Sequence, residues 1–515
     1  MAHALPAEVE VAIIGAGFGG LGAAIRLRQA GRRRFAVLER GRDLGGTWYA
    51  NTYPGAQCDV PSSLYSFSFA PKADWARAYP EGPEIHAYLR DCAERFGVRD
   101  RVHTETEVTD ATWDGGDRRW VVATTRGTLR ARWLVAAPGL LSEPSIPQVD
   151  GLDRFAGAIF HTAAWDHAHR FAGERVGLIG TGATAIQVGP RLAGEVASLT
   201  VFQRTPPWIL PHPDRAISPL ERRLRARAPL AQRAARAAVY AMRETLAAGM
   251  AYAPPLLKGQ ELVARAHLRR QVADPALRRA LTPSYAIGCK RVLLSGDWYP
   301  MLGQPHVELV TAGVTACTER GLVTADGREH PLDSLVLATG FTPTDPPLGR
   351  RVRGAGGQTL SEAWDGSPQA HLGTTVAGFP NLFLLYGPNT NLGHSSIVFM
   401  LESQIAYLMD ALRVADARGA AALEVRADAQ AASNAEVQRR LARSVWNTGG
   451  CGSWYLDAHG RNATMWPGFS FEFRRRTRRF DAEHFHLDPG GSTPWPQPTT
   501  SSSAPAPPAA SSPTA

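Results

Sequence analysis

The sequence predicts an α/β protein with two three-layer domains, because one unit of apolar strand, glycine-rich turn and helix occurs twice. The first unit has its strand at 8–14 and its turn at 15–20, and the second has them at 176–179 and 180–185. In such units the glycines permit a tight turn, the approach of a pyrophosphate to the backbone, and close packing of helix on strand. Both units are therefore interpreted as Rossmann-like dinucleotide-binding domains.

The composition is that of a soluble globular chain. Its 515 residues, 44% of them hydrophobic and 20% charged, are enough for two or three domains. The net charge of +9 comes from arginines spread along the chain, and no nucleic-acid-binding module is recognisable, so we expect no nucleic-acid partner. No apolar run approaches the roughly 20 residues of a membrane span, so we also expect no membrane partner.

The cysteines give a further indication of compartment. Cys58, Cys92, Cys289, Cys317 and Cys451 are odd in number and widely separated. They contain no CxxC pair for redox exchange or zinc binding. We therefore expect a reduced, cytoplasmic protein that needs no metal ion.

The first glycine turn has the surroundings that a dinucleotide needs. Gly15 permits the tight turn, Gly17 lets the pyrophosphate approach, and Gly20 lets the helix pack on the strand. The phosphate then lies at the positive N-terminus of the helix. A second strand, 34–38, ends at Glu39, whose carboxylate can accept both hydroxyls of an adenosine ribose. An acid at this position selects a ribose without a 2'-phosphate, which favours FAD or NAD.

The second glycine turn lacks this acid. Its phosphate cradle has alanine at the last position and consists of Gly180, Thr181, Gly182, Ala183, Thr184 and Ala185. The following strand, 199–203, ends at Arg204 and Thr205, and a guanidinium beside a hydroxyl suits a 2'-phosphate. The second site therefore predicts NADPH rather than NADH.

The rest of the chain supplies the remaining layers. Alternating apolar residues over 110–136 predict an antiparallel meander that returns to the first sheet. The pattern becomes helical between 206 and 286, which predicts an insertion in the second domain. Further strands are predicted within 307–323 and 332–337, and a long helix from about 395. The tail beyond 489 is rich in Pro, Ser, Thr and Ala and has no charges, which predicts disorder.

A stretch between the two glycine turns carries a family resemblance. Phe155, Gly157, His161, Trp165 and Asp166 stand at the fixed positions of FAGAIFHTAAWD. This pattern resembles the fingerprint of the type I Baeyer-Villiger monooxygenases, FAD enzymes that use NADPH and oxygen to turn ketones into esters or lactones. The resemblance extends over most of the chain from 9 to about 481. It implies that NADPH-reduced FAD forms a C4a-peroxide that attacks a ketone carbonyl.

The same resemblance implies roles for individual residues. The stretch 45–59, GGTWYANTYPGAQCD, is similar to the flavin-side motif of the family. By resemblance, FAD is contacted by Thr47, Trp48, Asp59, Tyr65 and the backbone of Val108. The nicotinamide nucleotide is faced by Gln57, by Lys290 at the 2'-phosphate, and by Trp454 in a mobile loop that closes over NADP.

The catalytic centre implied by the resemblance is an arginine. Arg291 is expected over the flavin, where a permanently charged guanidinium can stabilise an oxyanion. Asp59 is expected to hold it by a charge-assisted hydrogen bond. His161 and Trp165 are expected to couple NADP binding to domain rotation.

The resulting domain assignment makes the FAD domain discontinuous. The predicted boundaries are 1–145 and 342–488 for the FAD-binding domain with a C-terminal lid, 146–208 and 288–341 for the NADP-binding domain, 209–287 for the helical insertion, and 489–515 for the tail.

Two other functions stay open from the sequence. One is a flavin monooxygenase that oxygenates nitrogen or sulfur, which needs a protonated hydroperoxide. The other is a non-oxygenating NADPH-binding redox sensor or oxidase, although reductase cysteines are absent. The natural ketone, the regiochemistry and the oligomeric state, monomer or dimer, are not determined by the sequence.

Overall fold

The computed structural model describes residues 4–489. The predicted tail, 489–515, lies outside the described residues except for its first residue. The described chain forms two sheets of the expected kind, each covered on both faces, so the predicted three-layer α/β class with two dinucleotide-binding domains is confirmed.

The first sheet has eight strands drawn from three separate parts of the sequence. Seven of them follow one path, in the order Val352–Arg353, Val108–Asp114, Arg119–Thr124, Gly127–Ala136, Glu8–Ile14, Phe35–Leu38 and Val102–His103, and the eighth, Leu382–Leu384, pairs with Gly127–Ala136. The strand Gly127–Ala136 belongs first to the antiparallel meander and then, from Arg130, pairs in parallel with Glu8–Ile14. Two of the eight strands therefore come from sequence that follows the second glycine turn.

The two faces of this sheet pack in two different apolar cores. Helices Phe18–Gln29, Gly82–Arg95 and Ile397–Ala417 pack on one face in a single apolar core. The other face packs on a second core that includes Trp113 and Trp120 of the meander. The strand Glu8–Ile14 is consequently buried on both sides after its first residue, as its nearly uninterrupted apolar sequence predicts.

The second sheet is entirely parallel. Its five strands have the order Val307–Val310, Ser198–Phe202, Arg175–Ile179, Ser334–Leu337 and Ala158–His161. Helices Ala183–Leu192 and Trp298–Leu302 pack on one face. The other face packs against a three-stranded antiparallel ribbon, which consists of Val314–Thr318, Gly321–Thr324 and Glu329–Pro331.

The predicted helical insertion is present. It contains helices Pro219–Arg227, Pro229–Ala247, Lys258–Gln271 and Pro275–Ala280, with a π-helical turn at Ala248–Tyr252 and a 3-10 turn at Pro254–Leu257. The Ser218 hydroxyl caps the first helix by accepting a hydrogen bond from the backbone N–H of Glu221 (3.2 Å). Glu221 does not complete a reciprocal capping box, and its carboxylate forms ion pairs with Arg215 and Arg225 instead.

The remaining helices and strand pairs belong to both domains. They are the short helices Thr47–Ala50, Pro347–Arg351, Leu360–Trp364 and Val445–Thr448, the helices Ala427–Leu441 and Ser470–Arg476, and two strand pairs, Ala420–Val425 with Phe485–Pro489 and Ile209–Leu210 with Leu293–Leu294. Among residues 4–489, no helix combines the length and the apolar character that crossing a bilayer requires.

Candidate active site

The backbone of the protein itself requires glycine at two positions of the first glycine turn. Gly15 has a φ of +94°, and a Cβ placed on it would lie 2.4 Å from the carbonyl oxygen of Ala137. A Cβ on Gly20 would lie 1.9 Å from the carbonyl oxygen of Gly15. Within residues 4–489, a Cβ on Gly17 would meet no atom closer than 3.5 Å, so this glycine is not required by the fold. Its place on the turn is where a phosphate needs bare backbone.

Glu39 lies next to this turn and faces it. Its carboxylate is buried and accepts hydrogen bonds from the backbone N–H groups of Ala16 (2.8 Å) and Gly41 (2.7 Å). Two carboxylate oxygens offer about four acceptor positions, so lone pairs remain for a ribose diol. The glycine turn and Glu39 together suit an adenine dinucleotide without a 2'-phosphate, such as FAD.

The second glycine turn repeats this division of roles. Gly180 has a φ of +114°, and its Cβ would lie 2.4 Å from the carbonyl oxygen of Ala338. A Cβ on Gly182 would have no atom of the described chain within 4 Å. Ala185 is fully buried, and the Thr181 hydroxyl donates to the carbonyl of Thr205 (2.9 Å). Open space at Gly182, at the start of helix Ala183–Leu192, is the room that a pyrophosphate needs.

Two cations lie near the end of the strand that follows this turn. Arg204 is exposed, and Lys290 approaches it from the loop before Leu293–Leu294. Burial lowers the pKa of Lys290, and the nearby positive charge of Arg204 lowers it further. The Lys290 ammonium also lies 5.2 Å from the ring centre of Tyr285. Two cations that repel each other form a favourable site for a 2'-phosphate, because an anion between them relieves the repulsion.

Arg291 and Asp59 form the ion pair that the sequence led us to expect. The Arg291 Nη2 donates to Asp59 Oδ1 at 2.6 Å, and its Nε donates to Asp59 Oδ2. Burial opposes ionisation of Asp59, but the charge and hydrogen bonds of Arg291 outweigh it, so the pKa of Asp59 is lowered. The two side chains keep 32% and 28% of their exposure, so the pair is recessed but accessible.

Further groups around this pair were not predicted as site residues. Arg243, in the helical insertion, donates from Nη2 to the Asp59 carbonyl (2.8 Å). Tyr455 is buried, and its hydroxyl lies close to the backbone of Arg291. Burial raises the pKa of Tyr455 to about 12, and it also raises the pKa of Tyr386, which is close enough to interact electrostatically with Arg291. Both tyrosines are therefore neutral hydrogen-bonding groups at neutral pH.

The C-terminal segment approaches the ion pair through Tyr455, a residue for which the sequence predicted no role. Trp454, predicted to close over NADP, is 40% exposed and packs edge-on against Tyr455, with ring centres 4.5 Å apart. Tyr455 is the neighbour that turns inward to Arg291. The sequence motif located the segment but did not indicate which aromatic side chain faces the site.

The flavin-side motif lies against the second domain. Trp48 donates from Nε1 to the Tyr65 hydroxyl (3.1 Å), which brings two predicted FAD contacts together. Gln187, on helix Ala183–Leu192, accepts from the Tyr53 hydroxyl (2.8 Å) and donates to the Gln57 carbonyl (2.9 Å). Gln187 was missed because a glutamine inside an amphipathic helix gives no signal of an interdomain contact.

Three predicted residues have partners within the protein. The Gln57 side chain donates to the Tyr79 carbonyl and to Asp214 Oδ2, both at 2.9 Å. The Val108 carbonyl accepts from Arg351 Nη1 (2.8 Å). Thr47, exposed at the start of a one-turn helix, accepts through its carbonyl from Asn51. The Gln57 backbone is also bonded, because its N–H donates to Gln187 Oε1 (3.3 Å) and its carbonyl accepts from Gln187 Nε2. The Val108 N–H and the Thr47 side chain are therefore the groups to consider for cofactor contact.

The fingerprint lies at the crossing between the domains and is packed tightly there. A Cβ on Gly157 would lie 2.2 Å from the Asp333 carbonyl and 2.7 Å from the buried Phe155 ring. His161 Nε2 is hydrogen-bonded to the carbonyl of Gly340 (3.1 Å), which lies where the chain crosses between the domains for the second time. His161 Nδ1 accepts from the N–H of Ala163 (3.1 Å). Burial lowers the pKa of His161, so the ring is neutral and donates from Nε2.

The last two fingerprint residues point elsewhere. Trp165 is half-buried and packs on Phe160 and Phe171 beside the second sheet. Asp166 is exposed and accepts from the N–H of Ala168 (2.8 Å). The described contacts of Trp165 and Asp166 involve neither Arg291 nor Asp59, whereas His161 joins the two chain crossings.

Cys289 and Cys451 form a disulfide, with Cα atoms 6.2 Å apart. The expectation of a fully reduced chain is corrected by this bond. The two cysteines are 162 residues apart, so no spacing motif marked them as partners. Cys58, Cys92 and Cys317 are buried free thiols.

Comparison with known proteins agrees with this geometry. Residues 12–233 match the family model described as pyridine nucleotide-disulphide oxidoreductase. The chain is 48% identical over 481 residues to a Baeyer-Villiger monooxygenase of Streptomyces coelicolor, covering 93% of each chain. It is 47% identical over 480 residues to a Baeyer-Villiger monooxygenase of Pseudomonas aeruginosa, covering 93% of this chain and 91% of that one.

Solved structures give the same result. An oxidized steroid monooxygenase bound to NADP superposes with a TM-score of 0.83 at 33% identity, and a closed cyclohexanone monooxygenase with 0.84 at 30%. Each comparison covers 94% of this chain and 100% of the other.

Two dinucleotide cradles, one with an acid and one with cations, together define an NADPH-dependent flavin monooxygenase whose cofactors are FAD and NADPH. Within that class, the chain belongs to the Baeyer-Villiger monooxygenases.

Proposed function

We propose that this enzyme inserts one oxygen atom of O2 next to the carbonyl of a small-molecule ketone, giving an ester or lactone, with Arg291 as the central catalytic residue. One observation carries the proposal: the Arg291 guanidinium is fixed by Asp59, yet its side chain keeps 32% exposure. Bound FAD, once reduced by NADPH, supplies the activated oxygen.

Arg291 acts as a fixed positive charge at the reacting centre. Because a guanidinium does not lose its proton in the accessible pH range, the site keeps this charge throughout the reaction. The charge stabilises the oxyanion that develops on the ketone oxygen as the carbonyl carbon is attacked. Asp59 accepts two hydrogen bonds from Arg291 and so orients the remaining N–H groups away from itself.

The FAD-binding site is proposed in the first domain. Gly15, Gly17 and Gly20 shape the pyrophosphate turn, and Glu39 binds the adenosine ribose. Further proposed contacts lie along the flavin and the adenine: Thr47, Trp48, Asp59, Tyr65 and the backbone of Val108. The strands Val352–Arg353 and Leu382–Leu384 in the first sheet support a discontinuous FAD domain with parts at 1–145 and 342–488.

The NADPH seat is proposed in the second domain, with parts at 146–208 and 288–341 around the insertion at 209–287. The turn from Gly180 to Ala185 binds the pyrophosphate. Arg204, Thr205 and Lys290 surround the 2'-phosphate, and Gln57 and Trp454 face the nicotinamide side.

The fingerprint is proposed to keep the two chain crossings together while the domains move. The His161 ring bridges to Gly340, and Phe341 packs edge-on against it with ring centres 5.9 Å apart. His161→Ala is expected to slow flavin reduction or oxygenation while FAD stays bound. Stopped-flow measurements with unchanged rates would remove this role.

The test of the function is product analysis on Arg291→Ala. We expect NADPH oxidation to continue, with hydrogen peroxide released, while ester formation from a cyclic ketone falls below detection. Arg291→Lys is the matched control, because it keeps the charge but loses the bidentate contact to Asp59. Ester production by Arg291→Ala at the wild-type rate would overturn the assignment. A thioether assayed in parallel distinguishes ketone oxidation from sulfur oxygenation, since a wild-type enzyme that forms only sulfoxide would support the alternative.

A further inference from the structure

The disulfide lies directly beside the proposed catalytic arginine. Cys289 is followed in sequence by Lys290 and Arg291, and Cys451 begins the C-terminal segment 451–467. The bond therefore joins the loop that carries Lys290 and Arg291 to the segment that carries Trp454, a proposed nicotinamide contact.

The two sulfur atoms differ in their surroundings. Cys289 is fully buried in an apolar cluster that includes Val445, Trp446 and Tyr455. Cys451 is only half-buried at the edge of the same cluster. A reductant in solution therefore reaches the bond from the Cys451 side.

The segment after Cys451 touches the catalytic loop near the crosslink. Tyr455, four residues beyond Cys451, is buried with its hydroxyl close to the backbone of Arg291. Farther along, the segment is held by the FAD-side loop: the N–H groups of Asn389 and Asn391 donate to the carbonyls of Ala463 (2.9 Å) and Thr464 (3.0 Å). The segment is thus bonded covalently, through the disulfide, at the end that lies near Arg291.

We propose that Cys289–Cys451 is a reversible redox site that fastens the C-terminal segment onto the Lys290–Arg291 loop and thereby holds Arg291 in its working position. Cys289 and Cys451 are positioning residues, because they act through Arg291 and Tyr455. The inference rests on the proposed role of Arg291. When the bond is open, Tyr455 is freer to leave Arg291, and NADPH oxidation becomes less coupled to product formation.

The redox step balances with simple reagents. Dithiothreitol reduces the pair when its thiolate attacks the Cys451 sulfur, the Cys289 thiolate leaves, and the reagent's second thiol closes to a cyclic disulfide. Two electrons and two protons pass to the protein. In the reverse direction hydrogen peroxide oxidises the Cys451 thiol to a sulfenic acid with loss of water, and the Cys289 thiol displaces a second water to form the disulfide.

The first test needs no catalysis. The air-oxidised, FAD-loaded protein is denatured and treated with N-ethylmaleimide, and the number of labels per chain is measured by mass spectrometry. Three of the five cysteines should react without dithiothreitol, and all five after it. Five reactive cysteines in the oxidised sample would overturn the proposal. Hydrogen exchange of the amides at 450–455 should become faster after reduction, and unchanged exchange would contradict the proposed fastening.

The second test uses activity and a matched thiol variant. Reduction of the wild type should lower the product formed per NADPH by about tenfold, since a shift of ~1 Å in a catalytic group can cost ~100-fold in rate. Cys451→Ser should behave like reduced wild type and should not respond to dithiothreitol. Cys317→Ser removes a buried thiol outside the crosslink and should keep the wild-type response.

The outcomes separate this inference from the proposed function. If the oxidised and the reduced wild type form the same amount of product per NADPH, the proposed redox site is contradicted, even when Arg291→Ala is inactive. If Arg291→Ala still makes ester, the proposed function fails, while the thiol count and the exchange data still report on the crosslink.

Discussion

The contribution of Asp59 to catalysis can be estimated from its contact with Arg291. Asp59→Ala removes both acceptors of the bidentate pair, and Arg291 itself stays charged because nothing in the site can take its proton. Loss of rate in this variant therefore reports on the position of the guanidinium and not on its charge.

Removing one partner of a buried ion pair costs about 3–5 kcal/mol. Arg291 and Asp59 keep 32% and 28% exposure, so water screens part of this interaction, and we take half of that cost, about 2 kcal/mol. If this free energy is lost from the transition state, kcat for ester formation falls about 30-fold. Asp59→Asn keeps one acceptor oxygen and should fall less.

The assay is ester formation by gas chromatography, with NADPH oxidation followed separately and FAD content checked by absorbance. Asp333→Asn is the control, because Asp333 makes the same kind of pair with Arg175, at 2.7 and 3.0 Å, and that pair is more exposed and lies at the start of two inner strands of the second sheet. It should leave kcat unchanged. Wild-type ester formation by an FAD-loaded Asp59→Ala enzyme would refute the reasoning, and so would an equal loss in Asp333→Asn.

Four further outcomes are expected. Lys290→Ala should raise KM for NADPH by about 10- to 100-fold and leave KM for NADH nearly unchanged, because a hydrogen bond to a charged group contributes about 1.5–3 kcal/mol. In the wild type, KM for NADPH should rise as pH increases through the lowered pKa of Lys290, because deprotonation removes that positive charge. If KM depends on pH in the wild type as it does in Lys290→Ala, this explanation is contradicted. Gly180→Ala should lower Tm or prevent folding, because the added Cβ meets a carbonyl oxygen. Gly182→Ala should keep the wild-type Tm and weaken NADPH binding, because its Cβ enters open space. Calorimetry measures Tm, and titration with NADPH measures binding. Gln187→Ala should leave FAD bound but slow its reduction by NADPH in stopped flow, because it removes hydrogen bonds between Tyr53, Gln57 and the second domain.

The sequence predicted what local pattern controls. The strand Glu8–Ile14 has the predicted bounds, because an apolar run ending at a glycine turn leaves little freedom for either end. Gly15 and Gly180 have the positive φ values that the turn requires. The difference between Glu39 and Arg204 at the ends of equivalent strands also lay in the sequence itself, and it indicated two different dinucleotides.

Contacts between distant parts of the chain were less accessible to sequence. The Arg291–Asp59 pair joins residues 232 positions apart, and only the family resemblance brought them together before the structure did. Gln187 and Arg243 lie on helices whose apolar spacing fixes one face, while the polar face can meet any neighbour. Which neighbour it meets depends on how the domains pack, and periodicity carries no information on that.

The C-terminal segment shows the same limit within two adjacent residues. Trp454 and Tyr455 are both large aromatic residues in a motif that points to a loop over the cofactor, so composition gives no reason to choose between them. The structure exposes the first and buries the second against Arg291. That choice is set by the path of the backbone between two fixed points, the disulfide at Cys451 and the hydrogen bonds from Asn389 and Asn391 at 463–464. A tyrosine hydroxyl can then reach a buried backbone group, whereas the larger indole keeps part of its ring in solvent, which is the arrangement expected when only one of two neighbours can face inward.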